Sequence, residues 1–190
     1  PLIPDNPAHP LGGVRVLAIL TWYMLREVEL SCIVVGDIRF SGDTARINLS
    51  ASKCDPTALS VDAELHCFCN SIGVSADLCP VCALNRQVLF ISKTLAATSI
   101  AEGRLLPLCP TIAGAVVDKK AMVSFINMAA ISTGSEALTR SGAERWGGHA
   151  GRRGGAHIFL ALGAAMLDIQ RHARHSSSAT LGYAEGANPA

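Results

Sequence analysis

The sequence predicts an α+β fold: a mostly helical domain with a small three-stranded antiparallel sheet near its N-terminus. Three observations predict it. Hydrophobic residues make up 49% of the 190 residues, which argues against disorder and is enough for one domain with a real core. Most apolar segments, beginning with "VRVLAILTWYMLREVELSC", have the spacing and length of helices. One segment, "TARINLS", instead alternates apolar and polar residues behind an "SGD" turn, as a strand should.

The elements follow in order. Residues 1–12, "PLIPDNPAHPLG", are Pro-rich and read as a linker or frayed end. The domain is expected to occupy residues 13–190. Residues 14–32 read as one helix. "IVVGDIRF", "TARINLS" and "ALSVD" read as three short strands within residues 33–62. A Cys-rich insertion spans 66–82. "ALNRQVLFISKTLAATS" reads as a helix, and "AEGRLLPLCPTIAGAVV" as a Pro- and Gly-broken loop. Asp118 is placed to cap a helix over "KKAMVSFINMAAIS". "RSGAERWGG" reads as a turn. "RRGGAHIFLALG" and "AMLDIQRHAR" read as two helices, and "SSSATLGYAEG" as a Ser-capped short helix holding Tyr183.

Composition narrows the function classes. No apolar run reaches about 18 residues, so no membrane span is expected. There is no signal peptide and position 1 is Pro, so the chain is expected to be a piece of a longer protein. Net charge is only +1, yet residues 140–175 carry six Arg against Glu144 and Asp168. Four of the six His lie in the same stretch. A basic segment on a near-neutral chain suggests a localised anion site, although a solvated helix face has the same composition. Seven Cys without a secretory signal favour a reducing compartment, nuclear or cytoplasmic.

Phosphodiester chemistry is the anion chemistry to weigh. Its transition state spreads negative charge over non-bridging oxygens. Without a metal, the protein must supply fixed cations, and Arg binds phosphate oxygens bidentately. A nucleophile and an acid for the leaving oxygen are also needed. His149 and Arg152 stand at i and i+3 at a helix start and share a face. Arg153 should point elsewhere. Arg26 lies in "MLREVEL", Lys53 in "SASKCDP", and His175 opens "HSSSATLGY", eight residues before Tyr183. Each of these residues alone has an ordinary structural use. Six in this order are much harder to obtain by accident.

"LREVEL", a Lys in a strand turn, "HAGRRGG" and "HSSSATLGY" together resemble the catalytic domain of the tyrosine recombinase (phage integrase) family over nearly the whole chain. The resemblance is greatest to divergent members found in protists and mobile elements. It implies DNA strand cleavage and rejoining through a 3′-phosphotyrosine intermediate, in site-specific recombination or DNA integration, without a catalytic metal. It implies double-stranded DNA as partner and a homo-oligomer on DNA. By match, Arg26 and Arg152 would clamp the scissile phosphate and Lys53 would protonate the leaving 5′ oxygen. His149 and His175 would hydrogen-bond the phosphate or pass protons, and Tyr183 would attack. Glu29 matches a supporting acidic position. One departure is Arg174, where the family usually has Gly. The resemblance covers the catalytic domain and not the family's N-terminal DNA-clamping domain, so these 190 residues alone are expected to bind DNA weakly. A catalytically decayed DNA-binding domain and a type IB topoisomerase-like nicking enzyme are the alternatives.

The insertion carries a separate expectation. In "HCFCNSIGVSADLCPVCAL", Cys67, Cys69, Cys79 and Cys82 form two close pairs that could hold a structural zinc. His66 is a substitute ligand. Reduced cysteines in a loop are the competing reading. Cys32, Cys54 and Cys109 read as buried or incidental thiols. His157 and His172 read as structural or phosphate-facing. His172 and His175 at i, i+3 could pair on a metal, but no third ligand is placed.

Overall fold

A computed structural model of the chain describes residues 6–49, 61–69, 75–101, 105–142 and 145–174, with the side chains of 96–101 outside the description. Among the described residues the architecture is α+β, with six α-helices and one three-stranded antiparallel sheet. The helices are α1 (Val14–Trp22), α2 (Glu27–Cys32), α3 (Pro80–Ala101), α4 (Lys119–Ser132), α5 (Ala150–Ala161) and α6 (Met166–His172). The strands are β1 (Ile38–Ser41), β2 (Thr44–Leu49) and β3 (Val61–His66), in the order β1-β2-β3.

The sheet follows its alternation. Ala45 and Ile47 point inward and face Leu65 and Ala63 across the β2–β3 ladder, and all four are buried. Arg46 points outward, opposite Glu64, and pairs with Glu64 and Asp62. The β1–β2 turn places Gly42 at φ 57, a conformation that glycine adopts without steric cost. Two expectations shift here. The segment read as a strand from residue 33 begins with a 3-10 turn, Val35–Asp37, because the Asp37 carboxylate accepts from the Val34 amide at 2.9 Å and closes the chain locally. Among the described residues the third strand runs over Val61–His66, past the end of "ALSVD", because its pairing with β2 continues to Thr44–His66. Residues 58–60 of the expected strand lie outside the described residues.

Helix α1 forms the centre of the helical layer. Val16, Ile19, Leu20 and Tyr23 are buried and join one core with Leu84 of α3, Met122 and Phe125 of α4, and the inward face of the sheet. Gln87 is buried within this core but satisfied. Its amide donates to the Leu11 and Leu108 carbonyls at 2.9 and 3.0 Å and accepts from Arg15 at 3.2 Å. The described part of the segment read as linker or frayed end is therefore held. His9 is buried, contacts Ser124 Oγ at 3.2 Å, and sets its ring edge-on to Phe125. Helix α4 begins as expected, with the Asp118 carboxylate accepting from the Ala121 amide at 2.8 Å.

The single helix expected over residues 14–32 is instead two. α1 stops at Trp22, Met24 turns left-handed at φ 46, and α2 starts afresh after Arg26. Glu29 reaches back to accept from the Arg26 amide at 2.8 Å, which satisfies a donor at the new helix start. The break turns the carbonyls of Trp22, Tyr23 and Met24 away from helical partners, toward residues near the chain's other end. Helix α5 starts two residues earlier than expected, at Ala150, with His149 at its N-cap.

Candidate active site

Helix α5 approaches α1 through two glycines four residues apart. A Cβ at Gly151 would lie 2.5 Å from Leu20 Cγ, and one at Gly155 would overlap the Thr21 carbonyl oxygen. The "GRRGGA" run thus lets two helix backbones meet closely. The segment before α5 is tied down as well, because Asn127 of α4 donates to the Trp146 carbonyl at 2.7 Å. Gly148 sits against the buried carboxylate of Glu27, where any Cβ would overlap it. Lys119 balances that carboxylate at 3.7 Å.

The close approach delivers Arg152 to the break between α1 and α2. Its side chain is only 2% exposed. Nε donates to the Met24 carbonyl at 3.1 Å, and Nη2 donates to Glu29 Oε1 at 2.8 Å. Glu29 is the hub of the site. Its Oε2 accepts from the Arg26 amide at 2.8 Å and from Arg174 Nη2 at 3.3 Å. Two guanidinium groups from more than 120 residues away, those of Arg152 and Arg174, therefore meet at one carboxylate that also accepts from the Arg26 backbone amide. Burial pushes the Glu29 carboxyl up, but the Arg152 charge, the Arg26 amide and Arg174 outweigh it and hold the carboxyl below its ordinary value.

Two guanidinium groups, of Arg152 and Arg174, share the one Glu29 carboxylate, and the Arg26 charge lies near enough to act on Arg174. Arg26 Nε is buried and meets no hydrogen-bond partner among the described residues. Burial pushes the Arg174 guanidinium down; Glu29 opposes that, while Arg152 and Arg26 add to it through like-charge repulsion. Like-charge repulsion of this kind is what a bound anion would relieve.

Arg174 is the residue that sequence reasoning passed over as a mere departure. Its φ is 58, the left-handed region where Gly is favoured. The strain is offset by hydrogen bonds from its guanidinium to the carbonyls of Tyr23, Met24 and His172 and to Glu29, at 3.1–3.3 Å. The signal in the sequence was a long cation standing where a helix end calls for Gly.

The other expected residues are distributed as follows. His149 is exposed at the start of α5, on the turn that leads to Arg152, and its side chain does not cap the helix. Arg153 is exposed, as expected from its position one step on. His172 is structural: its Nε2 contacts the Trp22 carbonyl at 2.8 Å and its ring packs edge-on to Phe159. Burial lowers its pKa, only partly offset by that carbonyl. Lys53, His175, Tyr183 and Cys54 lie outside the described residues. The four cysteines of the insertion converge, with all Sγ atoms within 4.8 Å of one another. His66 stays apart from them, exposed and 3.7 Å from Asp43. Cys109 is buried, but Cys32 is exposed.

No family model and no curated protein matches the sequence. Solved structures do. The chain is similar to the XerH site-specific recombinase bound to palindromic difH substrate in a post-cleavage complex, with a TM-score of 0.57 and 14% identity over 92% of the chain. It is similar to XerH bound to difH substrate in a pre-cleavage complex, with a TM-score of 0.55 and 14% identity over 89% of the chain. The match spans 42% and 41% of those chains, so this chain corresponds to less than half of XerH. At this identity the likeness is one of fold: the chain shares its fold with the matched part of the XerH site-specific recombinase.

Proposed function

We propose that the chain is a catalytic domain that cleaves and rejoins DNA strands through a 3′-phosphotyrosine intermediate. The carrying observation is the convergence on Glu29 of the Arg152 and Arg174 guanidinium groups and the Arg26 backbone amide, in a fold shared with a DNA-bound site-specific recombinase. In this reading Arg26 and Arg152 hold the non-bridging oxygens of the scissile phosphate. Glu29 and Arg174 position them. The Tyr183 phenol oxygen attacks phosphorus, and the bond to the 5′ oxygen breaks. Lys53 gives that oxygen its proton, while His149 and His175 hydrogen-bond the phosphate or move protons. Rejoining reverses the step, with a 5′ hydroxyl attacking the phosphotyrosine and Tyr183 leaving. A low-dielectric setting for Arg152 makes its charge worth more to the transition state than an exposed Arg would be.

Double-stranded DNA is the proposed partner, and strand exchange between two duplexes implies more than one copy of the chain on DNA. A pool of nicked duplexes with randomised arms, whose released 5′ end diffuses away, tests the reading. Wild type should leave a covalent protein–DNA adduct stable to denaturant. Tyr183→Phe should form none while retaining DNA affinity, and Arg26→Ala should lose both. DNA binding without any adduct from wild type would sink the catalytic reading and leave a DNA-binding domain. Relaxation of supercoils without exchange between duplexes would point to a nicking enzyme of the topoisomerase type.

A further inference from the structure

The recombinase reading makes no use of the four cysteines, yet they are the most closely assembled reactive groups among the described residues. Cys67 and Cys69 leave the end of β3, and Cys79 and Cys82 flank the start of α3. Their sulfurs stand 3.5 Å apart for Cys69–Cys82, 3.6 Å for Cys79–Cys67 and 3.9 Å for Cys67–Cys82. These separations are far beyond a disulfide bond of about 2.05 Å. They match the edge of a tetrahedron, about 3.8 Å, set by four sulfurs each about 2.3 Å from a central zinc.

The surroundings suit a tetrathiolate. The Phe68 amide donates to Cys79 Sγ at 3.4 Å, and the Cys82 amide donates to the same sulfur. Amide donors aimed at sulfur stabilise its metal-bound, negative form. The Phe68 ring stacks at a tilt on Trp22, 5.2 Å between centroids, and the Trp22 indole donates to the Leu78 carbonyl at 2.6 Å. Both arms of the cysteine cluster are thus attached to α1.

We infer that Cys67, Cys69, Cys79 and Cys82 bind one structural zinc ion that fastens the end of β3 to the start of α3. Four protein ligands complete its coordination, so it has no open position for chemistry. Its mechanical role follows from topology. Among the described residues β3 is an edge strand, held by β2 on one side only. The connection between β2 and β3 carries Lys53. A metal at the His66 end of β3 fixes the strand's register against β2, including the Cys67 amide bond to the Asp43 carbonyl at 2.7 Å.

The test uses the full chain purified without chelator. Elemental analysis should find one zinc per chain, and X-ray absorption should find four sulfurs at about 2.3 Å. Replacement by cobalt(II) should give the visible absorption of a tetrahedral tetrathiolate. A strong chelator should lower Tm by about 10 °C or more, because binding free energy of a structural zinc is folding free energy. Cys82→Ser should lose most of the zinc, whereas Cys32→Ser should keep it all. The cobalt spectrum of the unsubstituted chain decides independently of whether Cys82→Ser folds. Metal-free folded protein with four titratable thiols, a disulfide within the set, or iron in place of zinc would each overturn the assignment. None of these readouts involves DNA, so failure here is distinct from failure of the recombinase reading.

Discussion

Two adjacent glycines in α5 should respond to the same substitution with opposite signs. In a helix interior, Gly→Ala gains about 1 kcal/mol from backbone entropy. At Gly154 that gain should survive, because a Cβ there would find only Thr21 Cγ2, at 3.5 Å, an ordinary contact. At Gly155 a Cβ would overlap the Thr21 carbonyl oxygen and lie 2.6 Å from Met24 Cγ. Met24 can shift its flexible side chain, but the carbonyl belongs to the end of α1 and moves only with the backbone. Overpacking against such a wall costs about 1–3 kcal/mol, and the upper half of that range applies. Gly155→Ala should therefore lose about 1–2 kcal/mol net, and Gly154→Ala should gain up to about 1 kcal/mol. Urea unfolding followed by circular dichroism, with unchanged m-values, measures both. The displacement also moves Arg152 relative to Met24 and Glu29, so Gly155→Ala should weaken DNA binding while Gly154→Ala leaves it unaltered. If Gly155→Ala proves as stable as Gly154→Ala, α5 does not meet α1 through its backbone and the placement of Arg152 is wrong.

Glu29→Gln should cost about 3 kcal/mol in chemical denaturation, because it strips the counter-charge from buried Arg152. The Glu29 carboxyl is held below its ordinary value, so its stabilisation is complete above about pH 4.3, the usual glutamate pKa, and is lost as pH falls through the depressed value. Acid unfolding curves of wild type and Glu29→Gln should therefore converge at low pH, and parallel curves would contradict the hub. Arg174→Gly relieves left-handed strain of about 1–2 kcal/mol but deletes four hydrogen bonds, so thermal melting should show a net loss. A stabilised Arg174→Gly variant would show those bonds to be too weak to offset the strain. Lys53→Ala should slow DNA cleavage on the order of a hundredfold, and a substrate with a sulfur-bridged leaving group should restore it. Equal rescue of Arg152→Ala by that substrate would remove Lys53 as the acid.

Features written in local chemistry were legible in the sequence alone. The alternation of "TARINLS" determined which residues of β2 face the core, because neighbouring side chains on a strand point to opposite faces. Asp118 announced α4, because a cap acts within three residues of itself. The cysteine pairs suggested their own convergence, and the order of Arg, Lys, His, Arg, His and Tyr suggested the recombinase fold. Tertiary structure alone decided where the first long apolar segment breaks. Nothing within "TWYMLREVEL" forbids a continuous helix; the turn at Met24 is compensated by Arg152 and Arg174, which approach from the far end of the chain. It also decided that Glu29 joins Arg152 and Arg174, and that His172 is spent on the Trp22 carbonyl. These outcomes rest on partners separated by more than 120 residues, and such pairings leave no periodic trace in the sequence because each side chain's environment is assembled only when the helices pack.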